Sequence, residues 1–522
     1  MGIRITGISS NLDTDSMVEE LVSAYKTKGE NLEKAQTKLG WKQDAWEALN
    51  TKISTFYSKA LSNMRFSSNY SKKTTTVSDT TKATVVASDS AVDGTQTLEV
   101  NSLAKAAYLT GGKLSASSGT TLSSSSTLSD LGYTGGTTTI TVNKGEQKSD
   151  GTYDTVSFEV SGDTKISDFT SYMSSAGYNA NFDSSSGRIF VGSTSSGASS
   201  NYDFALDSQD AVDALGSLGM LNEEDTTASG YTPTNTSTVY GVKIDGQNAE
   251  ITLNGATFES STNTFTINGL TVTAKALTAD DSPISLITDT DYDTIYNRIK
   301  SFFTEYNSLI NEMDALYNAD SAKGYEPLTD DEKDAMSETE IEQWEEKIKD
   351  ALLRRDSTLG SISTMMKQSM LGTYTINGKT YSLSSFGINT LGYFSSADNE
   401  KNAYHINGDS DDSDTSDEKD KLMTAIATDP TTVATFFQNL AKDLYSSLGK
   451  SISRSDSYSS YGSVYNDKKM QTDYDDYTTK IEDWEDYVEE IEERYYKQFS
   501  AMETALSKLN SQQSAFSSML GS

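Results

Sequence analysis

Proline occurs at four places, Pro233, Pro283, Pro327 and Pro430, so both ends of the 522-residue chain are free of it. Glycine is likewise missing from residues 41–93 and 463–520. Without these breakers each end can form a long helix, and fifty helical residues span about 75 Å. In the C-terminal segment, Ile481, Val488, Tyr495, Met502, Leu509 and Phe516 recur every seven residues. Trp484, Ile491, Gln498, Ala505, Gln512 and Met519 take the companion position. A heptad sustained over that length indicates coiled-coil or bundle packing. Its glutamines weaken the seam, and Phe499 is placed to substitute for Gln498. The apolar repeat runs to the last residues, so the seam requires a partner over its whole length.

The N-terminal segment has the same period. Val18, Tyr25, Leu32, Leu39, Trp46, Ile53 and Ala60 share one position; Leu21, Lys28, Ala35, Lys42, Leu49, Phe56 and Asn63 share the other. Gly29 and Gly40 are the expected breaks. Residues 1–73 carry 11 Lys/Arg against 8 Asp/Glu, whereas 463–522 carry 6 against 13, notably in EDWEDYVEEIEE (482–493). Opposite charges beside two matched seams favour pairing of the two chain ends as one leg. Pairing of each rod with a different protein is the alternative.

Between the rods the pattern changes. From 74 to 284 Ser, Thr and Gly dominate, and TKATVVAS, TQTLEV, TTTITV, GRIFVG and FTINGLTVTAKAL alternate as strands do. Asp245-Gly246, Asn254-Gly255 and Asn268-Gly269 supply tight-turn signals. KISDFTSYMSSAG (165–177) reads as one short helix among them. From 285 the helical period returns at Ile295, Ile299, Phe302, Tyr306, Leu309, Met313 and Leu316, then in IEQWEEKIKDALL (341–353) and DPTTVATFFQNLAKDLYSSL (429–448), with a hairpin turning at Asn377-Gly378. The expected fold is multidomain α+β: long N- and C-terminal helices pairing as a coiled-coil or helical-bundle leg, with an inserted Ser/Thr-rich β head of two subdomains. The expected divisions are a terminal helical segment (1–40, disordered before assembly), an N-terminal leg helix (41–73), a first head subdomain (74–115 with 235–284), a second, outer one (116–234), a helical body with a β-hairpin (285–462) and a C-terminal leg (463–522, its last part disordered before assembly).

Catalytic chemistry is poorly provided for. Cysteine is absent and His405 is the sole histidine, so thiolate chemistry and the usual His/Cys metal sets are excluded. His405 reads as a surface or strand-end residue. The Asp-rich run 409–420 fails the EF-hand pattern, because the sixth and twelfth places hold Asp414 and Asp420 where Gly and Glu are needed. It reads as a solvated, mobile loop. The four tryptophans, Trp41, Trp46, Trp344 and Trp484, lie in helical stretches and are assigned to packing. No catalytic residue, metal or cofactor is expected. The net charge of −34 argues against nucleic acid and anionic membrane surfaces, and no apolar run is long enough for membrane insertion.

Eight stretches, in order, carry a resemblance. They are GISSNLDTDSMVEELV (7–22), TQTLEVNSLAKAA (95–107), SGRIFVGSTSSG (186–197), the Asn-Gly strands around 244–273, IEQWEEKIKDALLRRDSTL (341–359), SSFGINTLGYF (384–394), DPTTVATFF (429–437) and QFSAMETALSKLNSQQSAFSSML (498–520). Together they resemble the flagellar filament cap proteins, the flagellar hook-associated protein 2 family, and the closing stretch is the most specific. Two features depart from the family pattern. Lys28-Gly29 stands where the family often has a proline, so a helix break is still expected there. The Asp-rich run reads as an insertion between a final strand and helix.

The resemblance implies a structural assembly protein of bacterial motility, secreted and extracellular at the flagellum tip, that leaves the cell through the flagellar type III apparatus without a cleaved signal peptide. The N-terminus, with no continuous apolar stretch, fits that route. Cap subunits form a ring-shaped homo-oligomer with heads as a plate and helical legs below. Exported flagellin is retained there and polymerised at the tip. Partners implied are the chain itself, flagellin, hook–filament junction proteins and a flagellar export chaperone, with cell adhesion through host mucus or surface glycans as a further contact of the head. The expected assembly residues are Leu21, Leu32, Leu39, Trp46, Ile481, Val488, Met502, Leu509 and Phe516. The alternative is a coiled-coil surface adhesin or another axial protein, a flagellin or a hook–filament junction protein.

Overall fold

A computed structural model of the chain describes residues 13–521 apart from 117–120, 236, 280–281, 393–395, 398–399 and 453–458. Residues 7–12 of the opening motif, and 393–394 of the SSFGINTLGYF motif, lie outside the described residues. The chain divides into two compact units, residues 1–70 with 292–522, and residues 71–291.

The first unit is helical. Its N-terminal helix, Thr14–Phe56, starts where Asp13 accepts the Ser16 backbone N–H at 3.1 Å, a cap worth about 1 kcal/mol. It continues into a π-helical turn, Tyr57–Leu61, that brings the Tyr57 ring flat onto Tyr445, 4.0 Å between centroids. The C-terminal helix, Asp467–Leu520, packs antiparallel against it. Trp46 stacks on Tyr465 at 5.2 Å, Asn50 binds both Gly462 and Val464, and Gln36 donates to Thr478. The breaks expected at Gly29 and Gly40 do not occur. Each glycine faces an aromatic ring of the partner helix, Trp484 and Tyr474 respectively, and the helix runs unbroken through both.

The heptad continues into a larger core. Trp46, Leu49, Ile53 and Phe56 are buried with Ile299, Phe303 and Tyr306 of helix Tyr292–Asn318, and with Phe436, Phe437 and Leu444 of helix Pro430–Ile452. Helices Glu338–Asp350 and Ser357–Met370 pack around these. Two small hairpins complete the unit: Tyr374–Ile376 with Lys379–Tyr381, and Ile388–Thr390 with Tyr404–Ile406. The first turns at Asn377-Gly378, both at positive φ as a type I′ turn requires.

The second unit is β-rich and holds two cores. A five-stranded antiparallel sheet has the order Lys73–Val77, Ile284–Thr290, Gly94–Ser102, Ala249–Leu253, Ala256–Ser260, and a three-stranded one runs Thr264–Ile267, Leu270–Ala274, Ala83–Ala87. Leu98, Val100, Ile251, Val272 and Leu286 lie in the core they share. Asn254-Gly255 and Asn268-Gly269 make the hairpin turns. Asp245-Gly246 does not: Val242–Ile244 pairs with Tyr108–Thr110, and the next strand belongs to another sheet. Its glycine serves close approach instead, because a Cβ there would lie 2.1 Å from Ser200 Oγ.

The other core lies between a four-stranded sheet, Val242–Ile244, Tyr108–Thr110, Arg188–Ser193, Tyr178–Asp183, and a three-stranded one, Asp154–Val160, Thr138–Lys144, Tyr202–Phe204. Helices Ile166–Ser175 and Gln209–Ser217 contribute Phe169, Met173, Val212 and Leu215 to it.

Ile53 is fully buried where the leg seam enters the helical core. Ile53→Ala should cost about 2–5 kcal/mol, read as a lower denaturant midpoint of the helical signal, whereas Lys59→Ala on the exposed face should leave the midpoint within about 0.5 kcal/mol of wild type.

Candidate assembly interface

The surface with the clearest capacity for assembly is the helix pair. At its far end Val18 and Val22 bury against Ile491, with Tyr25, Val488, Tyr495, Tyr496 and Phe499 around them. Phe499, not Gln498, faces inward, as the pattern of the segment allows. The first N-terminal seam position holds as read, Val18, Tyr25, Leu32, Leu39 and Trp46 all being buried or half-buried. The second is displaced by one residue over the outer part. Val22 and Gly29 are buried and Gln36 reaches Thr478, while Leu21 and Lys28 lie off the seam, Leu21 being 43% exposed.

Trp484 explains the displacement. Its ring fits over Gly29, where a Cβ would lie 3.3 Å from Cδ1, and its indole N–H donates to the Tyr25 carbonyl at 2.8 Å. Lys28 covers the outer ring face at 3.7 Å. A tryptophan needs a gap, and glycine at the facing position supplies one.

The charge argument is corrected in its partner. Three lysines of the N-terminal helix form ion pairs with the body, Lys34 with Glu332 at 2.6 Å, Lys42 with Asp356 at 2.9 Å and Lys52 with Glu312 at 2.7 Å, while Lys28 meets the 482–493 stretch through the Trp484 ring. Glu332 also closes a capping box at Thr329. Its pKa lies below the ordinary glutamate range, held down first by Lys34 and then by the Thr329 backbone N–H.

The expected assembly residues therefore fall into groups. Trp46 is core; Leu32, Leu39, Ile481 and Val488 line the intramolecular seam; Leu21 is exposed. Beyond Phe499 the C-terminal helix continues to Leu520, about six turns, and its repeat is open to solvent: Met502 is 37% exposed, Leu509 60% and Phe516 68%.

The Asp-rich run is an ordered clasp, not a mobile loop. Lys300 binds Asp409 at 2.5 Å and Asp411 at 2.6 Å, Thr415 donates to the Ile406 carbonyl, and Asn407 holds Glu418. His405 lies in a strand with its side chain 10% exposed, and Nδ1 is 2.7 Å from Asp412. Burial works to raise the Asp412 pKa, but the bonds from His405 and the Asp414 N–H outweigh it and the net direction is down. Among the described residues, His405, Asp412 and Asp414 form the one group whose donors lie within 4.8 Å of one another. Asp412 is already engaged through both oxygens, by His405 and by the Asp414 backbone N–H, which is the chemistry of a structural clasp.

Two measurements check this account. Gly29→Leu should push Trp484 off its seat at a cost of about 1–3 kcal/mol, moving the Trp484 indole N–H resonance. For Glu332 the depressed pKa means that its stabilisation is complete above the unfolded value of about 4.3 and is lost as pH falls through the lower folded value. The Lys34 side-chain resonances should shift in that acidic window, and Glu332→Gln should abolish the shift.

The comparisons with known proteins agree with one another. A family model described as flagellar hook-associated protein 2 C-terminus matches residues 246–511, and one described as its N-terminus matches 10–107. The chain is 24% identical to the flagellar hook-associated protein 2 of Halalkalibacterium halodurans over 568 aligned residues, 98% of each chain. It is 26% identical to the A-type flagellar hook-associated protein 2 of Pseudomonas aeruginosa over 59% of this chain and 62% of that one. The crystal structure of the D1-D2-D3 domains of the flagellar cap protein FliD from Escherichia coli superposes with a TM-score of 0.52 at 19% identity, covering 83% of this chain and 99% of that chain. At that identity the likeness concerns the fold.

Proposed function

The chain belongs to the flagellar hook-associated protein 2 family, and from that premise we propose that it acts as the oligomeric cap at the distal end of the flagellar filament, retaining exported flagellin and promoting its polymerisation there. It is a structural assembly protein, not an enzyme. The observation that carries the reading is the open C-terminal repeat. Met502, Leu509 and Phe516 keep the heptad spacing of the paired seam while facing solvent. Exposed apolar residues at that spacing suit helical partners.

Assembly residues then divide by role. Leu32, Leu39, Trp46, Ile481 and Val488 hold the leg together and act on assembly through its geometry. Leu21, Met502, Leu509 and Phe516 make the contacts to neighbouring subunits and to the filament end. Before assembly a flagellar export chaperone covers the exposed repeat, and the protein passes through the type III apparatus without a cleaved signal peptide. Contacts with hook–filament junction proteins, and with host mucus or surface glycans, belong to the same proposal.

Deleting the gene in the source bacterium should release unpolymerised flagellin into the medium and abolish filaments. Truncation of residues 498–522 should reproduce that loss while leaving the circular dichroism of the β-rich unit intact. Normal filaments in either strain would sink the cap reading.

A further inference from the structure

The four-stranded sheet of the β-rich unit has one face in its core and one in solvent. Register separates them. Leu109, Ile189 and Val191 point inward and are buried. On the opposite face Ile244, Tyr108 and Gly192 form one row, and Val242, Thr110 and Phe190 the next. This outer face would be expected to be polar. Instead Val242 is 67% exposed, Ile244 52% and Tyr108 40%. Gly192 contributes by absence, since a Cβ there would lie 2.9 Å from the Tyr108 ring, which rests across the strand beside Phe190.

Among the described residues the patch's two central rows carry no charged side chain, and the carboxylate of Asp183 and the guanidinium of Arg188 stand only in the row beyond Phe190. Its next strand presents Asn179 and Asn181, Arg188 is turned to the Gly111 carbonyl at 2.7 Å, and Lys243, between the two exposed aliphatics, lies on the other face with Asp203. Val242–Ile244 is an edge strand, paired on one side only. Long charged side chains are the usual protection of such an edge. None stands here on the outer face.

We infer that this patch, centred on Tyr108, Val242 and Ile244, is a contact between copies of the chain. The inference rests on the homo-oligomeric reading above and adds a second contact, remote in sequence from the C-terminal repeat. The electrostatic argument selects the occupant. Copies carrying −34 charges repel one another wherever carboxylates meet, so their contacts favour uncharged surface, and an aromatic and aliphatic centre rimmed by amides is the composition of an interface core. The size sets the strength. With three exposed apolar side chains at its centre, the patch falls short of the roughly 800 Å² per partner of a stable complex. It therefore acts together with the leg contacts, each raising the effective concentration of the other.

The test is mass photometry of the full chain across a concentration series. The double variant V242K/I244K places two ammonium groups on the outer face. Both positions are exposed, so the melting temperature and circular dichroism should stay near wild type. The control is Val86→Lys, equally exposed in the same unit but on a different sheet. The expected result is a shift of the assembly midpoint to at least tenfold higher concentration for V242K/I244K and none for the control. An oligomer as insensitive to V242K/I244K as to the control would overturn this contact and leave the cap reading standing. A wild-type chain that stays monomeric throughout would overturn both.

Discussion

Antiparallel packing of the two terminal helices is the constraint on which the helical unit depends. It joins residues more than four hundred positions apart, Trp46 to Tyr465 and Asn50 to Val464, and so closes the chain around everything between. Closing a loop of that length is entropically unfavourable, but the cost grows only with the logarithm of length. A continuous run of seam contacts and a shared core offset it. The same helix that forms the leg supplies Leu49, Ile53 and Phe56 to that core. Leg and body are therefore one cooperative structure, and no linker separates them along the N-terminal helix.

The seam shows a division of labour. Where helix faces helix, spacing alone decides which residues meet. Where the body faces the N-terminal helix, ion pairs at Lys34, Lys42 and Lys52 set its position laterally. These are half-exposed pairs of modest individual worth. Their contribution is to orientation, and the apolar seam supplies most of the stability.

Much of this was legible in the residues. The heptads located both helices and their pairing, because a period of seven over many turns has few other solutions. Asn-Gly pairs located three hairpins, because only a type I′ turn uses positive φ at both places. What sequence could not supply was how a bulky side chain is received. Gly29 read as a helix breaker, yet in contact with Trp484 it is a socket, and that one fit moves the second seam position from Leu21 and Lys28 to Val22 and Gly29. The Asp-rich run misled for a related reason. Its composition reads as solvated loop, and only the fold brings Lys300, more than a hundred residues away in the chain, between Asp409 and Asp411. The family resemblance could be traced stretch by stretch, whereas the outer face of the four-stranded sheet became visible only once register separated inward from outward residues.

The β-rich unit begins and finishes on neighbouring strands. Lys73 sits opposite Thr290, and the Asp291 N–H donates to the Lys72 carbonyl at 2.8 Å. Opposed residues of an antiparallel pair lie only about 5 Å apart, so this whole span leaves and rejoins the chain through one narrow, two-stranded doorway. Anything that closes on the same doorway is equivalent at the junction. The span between these two strands can thus be enlarged or exchanged without altering the helices that precede and follow it in the chain.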